Sequence, residues 1–257
     1  MSMNLNKNKN IGRVLFIVEG SSTEKYILWK IFADIFDYQV ETKMREHPYN
    51  IFNKKDNPYS KVFVINAKES NIKNIKKDDE FLNNLFRTLV EEYDFDVDDA
   101  AIYYLFDRDP ESNTDLDFIL KLLNQLTNSR ENEDNYRQGL LLLSYPSIES
   151  FTLSCFESDS FNVKFGIGNE LKKYLEDHKF NQSKITEDKL LLAATTLCNT
   201  LIQINNGEKF DIDDFKKCNI KVFNFEESLY STDSVFCCLC LLCISLIDLG
   251  LIIIDDE

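Results

Sequence analysis

Glycine and proline are scarce in this chain of 257 residues, which contains seven glycines and four prolines. So few argue against collagen-like segments, other repeats and a loop-dominated fold. The sequence also has no P-loop and no G-x-G-x-x-G after an apolar run, so we do not expect a nucleotide-binding ATPase or a dehydrogenase. Histidine is rare as well: His47 and His178 lie in polar stretches and form no Ser-His-Asp or Cys-His grouping, so a catalytic triad is not indicated.

Basic residues are also few: the chain has 29 Lys and Arg and 44 Asp and Glu, which gives a net charge of −15. Such a protein does not bind phosphate backbones by bulk electrostatics, so handling nucleic acid would require a local basic surface, a metal or a partner. The stretch from Lys43 to Lys77 has nine basic and three acidic residues, 9 − 3 = +6, which leaves −21 for the rest. It is either a solvated loop or a phosphate-facing patch, and in the second case Lys73, Lys76 and Lys77 are candidate substrate contacts.

The seven cysteines do not indicate a secreted disulfide framework, because their number is odd and four of them crowd into one apolar run. The polar leader "MSMNLNKNKN" precedes a short apolar run that ends at Glu19, which is not the pattern of a signal peptide. We therefore expect a reducing, cytoplasmic setting.

The apolar run "VFCCLCLLCISLIDLGLIII", residues 235–254, has nearly the length of a membrane span. Asp248 and Gly250 interrupt it and no basic flank follows, so a buried core helix, or a helix plus a strand, is favoured over a membrane or partner-facing helix. Cys237, Cys240 and Cys243 repeat every three residues, but no second ligand pair lies at zinc-finger spacing. Core packing is therefore the favoured interpretation of these cysteines.

Short apolar runs alternate with longer amphipathic segments up to about residue 156, and this predicts an α/β fold. The predicted strands are residues 13–18, 61–65, 101–106 and 139–144, and the predicted helices are residues 22–36, 79–93 and 115–126. Continuous apolar strands between helices indicate a parallel sheet of about four strands covered on both faces. We place this domain at residues 12–160 and a mainly helical C-terminal region at 161–257, where only "IKVFNF" has a strand-like pattern.

Acidic residues follow three of the predicted strands. Glu19 ends the first strand, Asp107 and Asp109 follow the third, and Glu149 comes soon after the fourth. The carboxyl ends of parallel strands lie at one edge of a sheet, where ligands bind, so we expect these acids to converge. Unpaired carboxylates repel one another, and a hard divalent cation such as Mg²⁺ (or Mn²⁺) supplies the counter-charge. The arrangement therefore predicts metal-assisted phosphodiester chemistry.

Neighbouring charged residues have structural alternatives. "SSTE" reads as a capping box in which Ser21 is the N-cap and Glu24 reaches back. Lys25 and Arg108 are candidate substrate contacts, but the first can equally be solvated and the second can form an ion pair.

The segments "VLFIVEGSSTEK" and "YYLFDRDPES" resemble the two motifs of the Toprim domain, the metal-binding fold shared by topoisomerases, primases, small ribonucleases and OLD-type nucleases. "SYPSIESFTLSCF" is similar to a segment of the RloB-like Toprim proteins of bacterial phage defence. The resemblance implies that Glu19 is a general acid/base or metal ligand, that Asp107 and Asp109 hold Mg²⁺, and that Glu149 is a further ligand.

The same resemblance implies a nuclease that cleaves DNA or RNA during abortive infection, acting with an ATPase-like partner. Oligomer formation is left open. The alternative is a non-catalytic Toprim-fold regulatory protein that binds a defence partner.

Overall fold

The computed structural model describes residues 2–20, 22–41, 49–66, 87, 90–91, 95, 97, 99–130 and 139–255. The strands are β1 (Ser2–Leu5), β2 (Arg13–Val18), β3 (Tyr38–Val40), β4 (Tyr49–Lys54), β5 (Asn57–Asn66), β6 (Ala100–Asp107), β7 (Thr127–Asn128), β8 (Gly139–Tyr145), β9 (Lys164–Phe165), β10 (Phe236–Cys237), β11 (Leu239–Cys240) and β12 (Ile252–Asp255). The helices are α1 (Thr23–Trp29), α2 (Leu116–Gln125), α3 (Glu149–Ser154), α4 (Gly168–Asp177), α5 (Glu187–Ile204), α6 (Phe215–Asp233) and α7 (Leu242–Asp248). Helix α1 continues as a π-helix (Lys30–Ile35), and Ser160–Asn162 and Gln182–Lys184 form short 3₁₀ turns.

A mixed sheet with a parallel centre organises the fold, and its strand order is β11-β8-β6-β2-β5-β4-β3. The four central strands β8, β6, β2 and β5 pair in parallel, which confirms the predicted strands and the α/β class. Strands β3, β4, β7 and β11 pair antiparallel at the sides of this centre and were not predicted. The sheet is therefore wider than the sequence pattern indicated.

The parallel strands are buried along nearly their whole length. All residues of β8 and the first seven residues of β6 are buried, as are the last five residues of β2. Strands covered on both faces favour continuous apolar sequence over alternation, which is why these segments could be recognised. Of the predicted helix over residues 79–93, only residues 87, 90 and 91 are described, and all three are helical.

Strand order places β2 between β5 and β6, although β5 follows β2 in the chain and β6 follows β5. The chain thus leaves β2 toward one side of the sheet and later returns to its other side. In open α/β sheets such a switch in direction opens a crevice at the carboxyl ends of the adjacent strands. Here the switch in direction falls between β2 and β6, which end next to Glu19 and at Asp107.

The C-terminal region is mainly helical and shares one hydrophobic core with the α/β part. Strand β11 pairs with β8 in the main sheet, and β12 pairs with β1, so Ser2–Leu5 of the polar leader form a strand. The strand-like pattern at residues 220–225 lies inside α6, which corrects that prediction. The helical spacing of its buried residues explains the difference; they are Phe215, Cys218, Asn219, Val222, Phe223 and Glu226.

The apolar run of residues 235–254 forms β10, β11, α7 and the start of β12, and most of it is buried. This confirms the prediction of a core helix plus strand. Within the described ranges, none of the helices combines the length and apolar character that crossing a membrane requires. All seven cysteines are free and buried, and burial raises the pKa of Cys237 and of Cys240 to about 12. Neutral thiols in the core confirm the packing role of the Cys-rich run.

Candidate active site at the carboxyl edge of the sheet

The ends of β2 and β6 are joined through Glu19. Its backbone N–H donates to Leu105 O at 3.1 Å, which extends the parallel ladder by one residue. Its carboxylate Oε2 accepts a hydrogen bond from Asp107 N at 2.8 Å. The prediction that these two acids meet at one edge of the sheet is therefore confirmed.

Asp107 joins this pair to the turn that follows β8. Its Oδ1 accepts a hydrogen bond from Ile148 N at 2.8 Å, and Glu149, the next residue, begins α3. The Glu149 side chain is buried, and its Oε2 accepts a hydrogen bond from Ser147 Oγ at 2.8 Å. Three strand ends thus contribute acids to one place, as the parallel-sheet prediction requires.

Glu24 is a member of the site that the sequence interpretation assigned to capping. It does reach back, since its Oε1 accepts a hydrogen bond from Gly20 N at 2.8 Å. The N-cap of α1 is Ser22, whose side chain makes no capping bond, whereas Ser21 lies outside the described residues. A Cβ at Gly20 would lie 2.3 Å from Glu24 Oε2, so any other residue here would displace the Glu24 carboxylate from its present position.

Asp109 completes the group, which we call the acidic cluster: Glu19, Glu24, Asp107, Asp109 and Glu149. The Asp109 Oδ1 accepts a hydrogen bond from Glu111 N at 3.0 Å, and the Asp109 Oδ2 accepts one from Ser112 Oγ at 3.3 Å. These bonds fix the turn after β6 and hold the Asp109 carboxylate near Glu19, where its charge helps to raise the Glu19 pKa.

Burial and mutual repulsion dominate the electrostatics of the acidic cluster. Burial, with the charges of Glu24 and Asp109, raises the pKa of Glu19 from 4.5 to about 8, against the Asp107 N–H bond, which lowers it. The pKa of Asp107 lies well above its usual value because of burial and the charges of Glu19, Glu24 and Glu149. Burial also raises the pKa of Glu24, and the charge of Glu149 raises it further. The side chains are therefore close enough to interact strongly, and the ionised state needs a counter-charge.

Arg108 has a structural role, which was one of the two alternatives that the sequence left open. Its side chain is only 3% exposed, its Nε and Nη2 donate to the two carboxylate oxygens of Glu227 on α6, and its Nη1 donates to Asn113 O at 2.8 Å. The ion-pair alternative is thus the one observed, and Arg108 joins the end of β6 to the C-terminal region. Lys25 is buried too, which contradicts the solvated alternative, and burial lowers its pKa.

Lys172 on α4 is a cation that sequence reasoning missed. Its Nζ lies 3.6 Å from Glu149 Oε1, and its side chain is half-exposed. Its charge also lowers the pKa of Glu24. The residue comes from the C-terminal region, and the approach of Gly168, at the start of α4, to Ser147 brings that helix against the site. No local sequence signal marks this lysine, because only tertiary packing places it here.

The basic stretch divides into described and undescribed parts. Lys73, Lys76 and Lys77 lie outside the described residues. Lys61 pairs with Arg13, the first residue of β2, and therefore lies at the amino ends of the parallel strands, opposite the acidic cluster. Lys54 is held by the carbonyl oxygen of Lys7 and, at 2.9 Å, by that of Phe36. These two described lysines are structural or remote from the acids.

The donor set fits a hard divalent cation in its chemistry. The acidic cluster offers carboxylate oxygens alone, which suits Mg²⁺ or Mn²⁺ better than zinc or copper. Across the part of the chain that the structure describes, no three His, Cys, Asp or Glu side chains are arranged to hold one ion. The carboxylates of Glu19, Glu24 and Asp107 are close to one another, and hydrogen bonds from backbone N–H groups set their orientation.

Comparison of the chain with family models, with curated proteins and with solved structures finds no match in any of the three. The function of the protein is therefore inferred from the acidic cluster and its position in the sheet.

Proposed function

We propose that this protein is a Mg²⁺- or Mn²⁺-dependent nuclease of the Toprim type. The observation that carries the proposal is the acidic cluster, in which buried carboxylates at the switch point of a parallel sheet raise one another's pKa. Burying like charges together costs several kcal/mol per ion unless a counter-charge is present, so such a group is costly without a ligand. A bound divalent cation removes that cost and supplies phosphoryl-transfer chemistry.

Each acid has a role in this proposal. Asp107, Asp109, Glu149 and Glu19 would hold the metal, which would neutralise the charge that builds on a phosphodiester during cleavage. In the metal-free protein the pKa of Glu19 is raised to about 8, which suits general acid/base work, whereas a bound cation would lower this pKa and favour Glu19 as a ligand. The half-exposed Lys172 lies beside Glu149 and is placed to pair with a substrate phosphate.

The biological setting follows from the Toprim resemblance alone. It suggests an effector of anti-phage defence that cleaves nucleic acid and acts with an ATPase-like partner. The net charge of −15 supports the need for a partner or a metal, because the chain as a whole repels phosphate backbones.

The test is a cleavage panel with single-stranded and duplex DNA and RNA, in Mg²⁺, in Mn²⁺ and in EDTA. We expect cleavage only with metal, and a loss of about thousandfold in Asp107→Asn, because a missing ligand removes several kcal/mol of transition-state stabilisation. Glu19→Gln should lose activity as well. The matched controls are Asp34→Asn and Glu187→Gln, whose carboxylates form surface ion pairs with Lys30 and Lys7. Equal activity in the site variants and the controls would contradict the site assignment.

A second candidate is a non-catalytic Toprim-fold protein that binds a defence partner. The observation in its favour is Arg108, which stands beside Asp107 but is committed to Glu227 rather than to a substrate. This candidate predicts stable co-purification with an ATPase-like protein and a full biological effect in Glu19→Gln and Asp107→Asn. Loss of the biological effect in those variants would favour the nuclease.

A further inference from the structure

A row of aromatic side chains lies on the C-terminal region. Phe156 stacks on Phe180 with ring centroids 4.8 Å apart, and Phe180 contacts His178 at 5.7 Å. His178 stacks on Tyr174 at 3.9 Å, and Tyr174 contacts Phe165 at 5.5 Å. We call these five residues the aromatic ladder. Lys189 Nζ lies over the Phe156 ring at 3.3 Å and ends the ladder with a positive charge.

Hydrophobic packing accounts for only part of the ladder. Phe165, Tyr174 and Phe180 are half-buried against a small second core that contains Leu171 and Leu175. His178 is different, because its ring is exposed and nevertheless stacks on its neighbours. Its Nδ1 is 2.8 Å from Tyr174 O, which fixes the ring orientation. An exposed ring that is held in place is the feature that a core role does not explain.

Two helices fix the distance from the ladder to the acidic cluster. Phe156 follows Glu149 by seven residues along α3 and its continuation, and His178 follows Lys172 by six residues along α4. At about 1.5 Å per helical residue, both paths span about 10 Å. The two paths begin together, where Lys172 contacts Glu149, and end together, where Phe156 contacts Phe180. Both lengths therefore measure the distance from the acidic cluster to the ladder. About 10 Å corresponds to about three stacked nucleotides of one strand.

The charge of this segment differs from that of the protein. Residues 164–184 contain five lysines and three acidic residues, 5 − 3 = +2, in a chain of net charge −15. The rest of the chain therefore carries −17. The lysines are Lys164, Lys172, Lys173, Lys179 and Lys184; all five are exposed, and Lys172 lies at the acidic cluster. The segment thus joins aromatic rings to phosphate-compatible charge.

We infer that the aromatic ladder binds single-stranded nucleic acid, with bases stacking beside His178 and phosphates facing the lysines of α4, and that it leads the strand to the acidic cluster. Stacking on aromatic side chains together with a basic path is how proteins bind single strands without reading sequence. Bases in a duplex are stacked on each other, so the ladder favours single strands. This inference rests on the proposed nuclease for the fate of the strand, but binding itself is independent of cleavage.

The test is fluorescence anisotropy with labelled 12-mers of dT and of rU and a 12-bp duplex, in EDTA so that no metal-dependent cleavage occurs. We expect His178→Ala to weaken single-strand binding about tenfold, because stacking on one ring has that order of effect. His178→Phe keeps a ring and should bind within about twofold of the unaltered protein. The matched control is Tyr59→Ala, which removes an aromatic residue that is 78% exposed on the β5 strand and away from the ladder.

Thermal unfolding of each variant checks that His178→Ala remains folded. Equal binding of duplex and single strands, no binding by the unaltered protein, or equal weakening in His178→Ala and His178→Phe would each overturn the inference. Cleavage in Mg²⁺ that is unaffected by His178→Ala would do so too, and would leave the proposed nuclease standing. Conversely, His178-dependent binding without any cleavage would support the ladder and contradict the nuclease.

Discussion

Two groups of acidic residues among the described residues differ in their partners. Where the C-terminal region meets the sheet, Glu227 receives two donors from Arg108, and Asp248 accepts hydrogen bonds from the Tyr103 hydroxyl and, at 2.6 Å, from Ser129 Oγ. Arg130 Nη1 also lies 3.4 Å from Asp248 Oδ1. In the acidic cluster, the hydrogen bonds to Glu19, Glu24 and Asp107 come from backbone N–H groups.

This difference separates acids with a structural role from those of the proposed site. An acid that holds two regions together is neutralised by the group it binds, so its charge stabilises the folded state. Acids gathered with one half-exposed lysine, Lys172, repel each other, and the folded state bears that cost in the absence of a ligand. Strongly perturbed carboxyl groups at a sheet edge therefore point to a binding site. Removing the partner of a structural acid, or a charge from the acidic cluster, should therefore have different effects.

The largest effect is expected at the structural ion pair. Arg108→Met leaves Glu227, whose side chain is only 12% exposed, without its bidentate partner, and breaking this largely buried pair should cost about 3 kcal/mol of unfolding free energy. Urea denaturation monitored by circular dichroism measures it. The matched control is Arg130→Met, where the arginine side chain is 48% exposed, so the loss should be about 0–1 kcal/mol. Similar losses in both variants would contradict the structural role given to Arg108.

The pH dependence of stability tests the acidic cluster. Glu19 has a folded pKa of about 8 against 4.5 for the free side chain, so between these values the folded state holds the proton more tightly than the unfolded state does. Stability from this group is therefore full below about pH 4.5 and is lost as the pH rises toward 8. From about pH 6 to pH 7.5 the loss is about 2 kcal/mol, and Glu19→Gln should remove it. Parallel pH profiles in the two proteins would show that Glu19 is not perturbed.

Glu226 supplies a matched control for the same titration. It is fully buried on α6, accepts a hydrogen bond from Cys237 N at 3.0 Å, and has a pKa raised by burial to about 8. Glu226→Gln should flatten the pH profile in the same sense as Glu19→Gln. The two variants should differ in their response to Mg²⁺, because Glu226 lies outside the acidic cluster. In Glu226→Gln, whose acidic cluster is intact, Mg²⁺ should raise the unfolding free energy more near pH 7.5 than near pH 6, and in Glu19→Gln this effect should be much smaller.

The sequence predicted the centre of the fold and not its sides, for a physical reason. The four parallel strands are buried on both faces and therefore read as unbroken apolar runs, of which β2 and β8 are clear cases. Strand β4 has the sequence YNIFNK and β1 has SMNL, and neither run is apolar throughout. Two-residue strands such as β11 are too short for any period to be detected. Their pairing is decided by tertiary contacts.

The same division applies to the site. Glu19, Asp107 and Glu149 could be predicted because strand ends fix their positions along a parallel sheet. Glu24 was given a capping role since its spacing from Ser21 satisfies that motif, and only the fold shows that its carboxylate faces the other acids. Lys172 could not be found, because nothing in "NELKKYLEDH" distinguishes it from Lys173 until α4 packs beside Glu149.

Metal binding should turn the acidic cluster from a source of repulsion into a group that stabilises the folded state. A ligand that binds only the folded state stabilises it by RT ln(1 + [L]/Kd), about 1.4 kcal/mol when Mg²⁺ is at about ten times its dissociation constant. Differential scanning fluorimetry with and without Mg²⁺ measures this shift in melting temperature. Asp107→Asn should abolish it, whereas Arg130→Met should keep it, since Arg130 contacts Asp248 instead. A shift of the same size in Asp107→Asn would place the metal elsewhere.

The smallest effect is expected at Lys172, and it decides whether this residue belongs to the cluster. The Lys172–Glu149 pair is half-exposed and 3.6 Å long, so Lys172→Gln should cost less than about 1 kcal/mol of unfolding free energy. That cost should be larger near pH 7.5 than near pH 5.5, because Lys172 lowers the pKa of Glu24 and so stabilises its ionised form. Lys173→Gln, on the exposed neighbour of Lys172, should show no such difference. Urea denaturation at the two pH values measures both variants, and an equal pH response would mean that Lys172 is a solvated lysine rather than a part of the site.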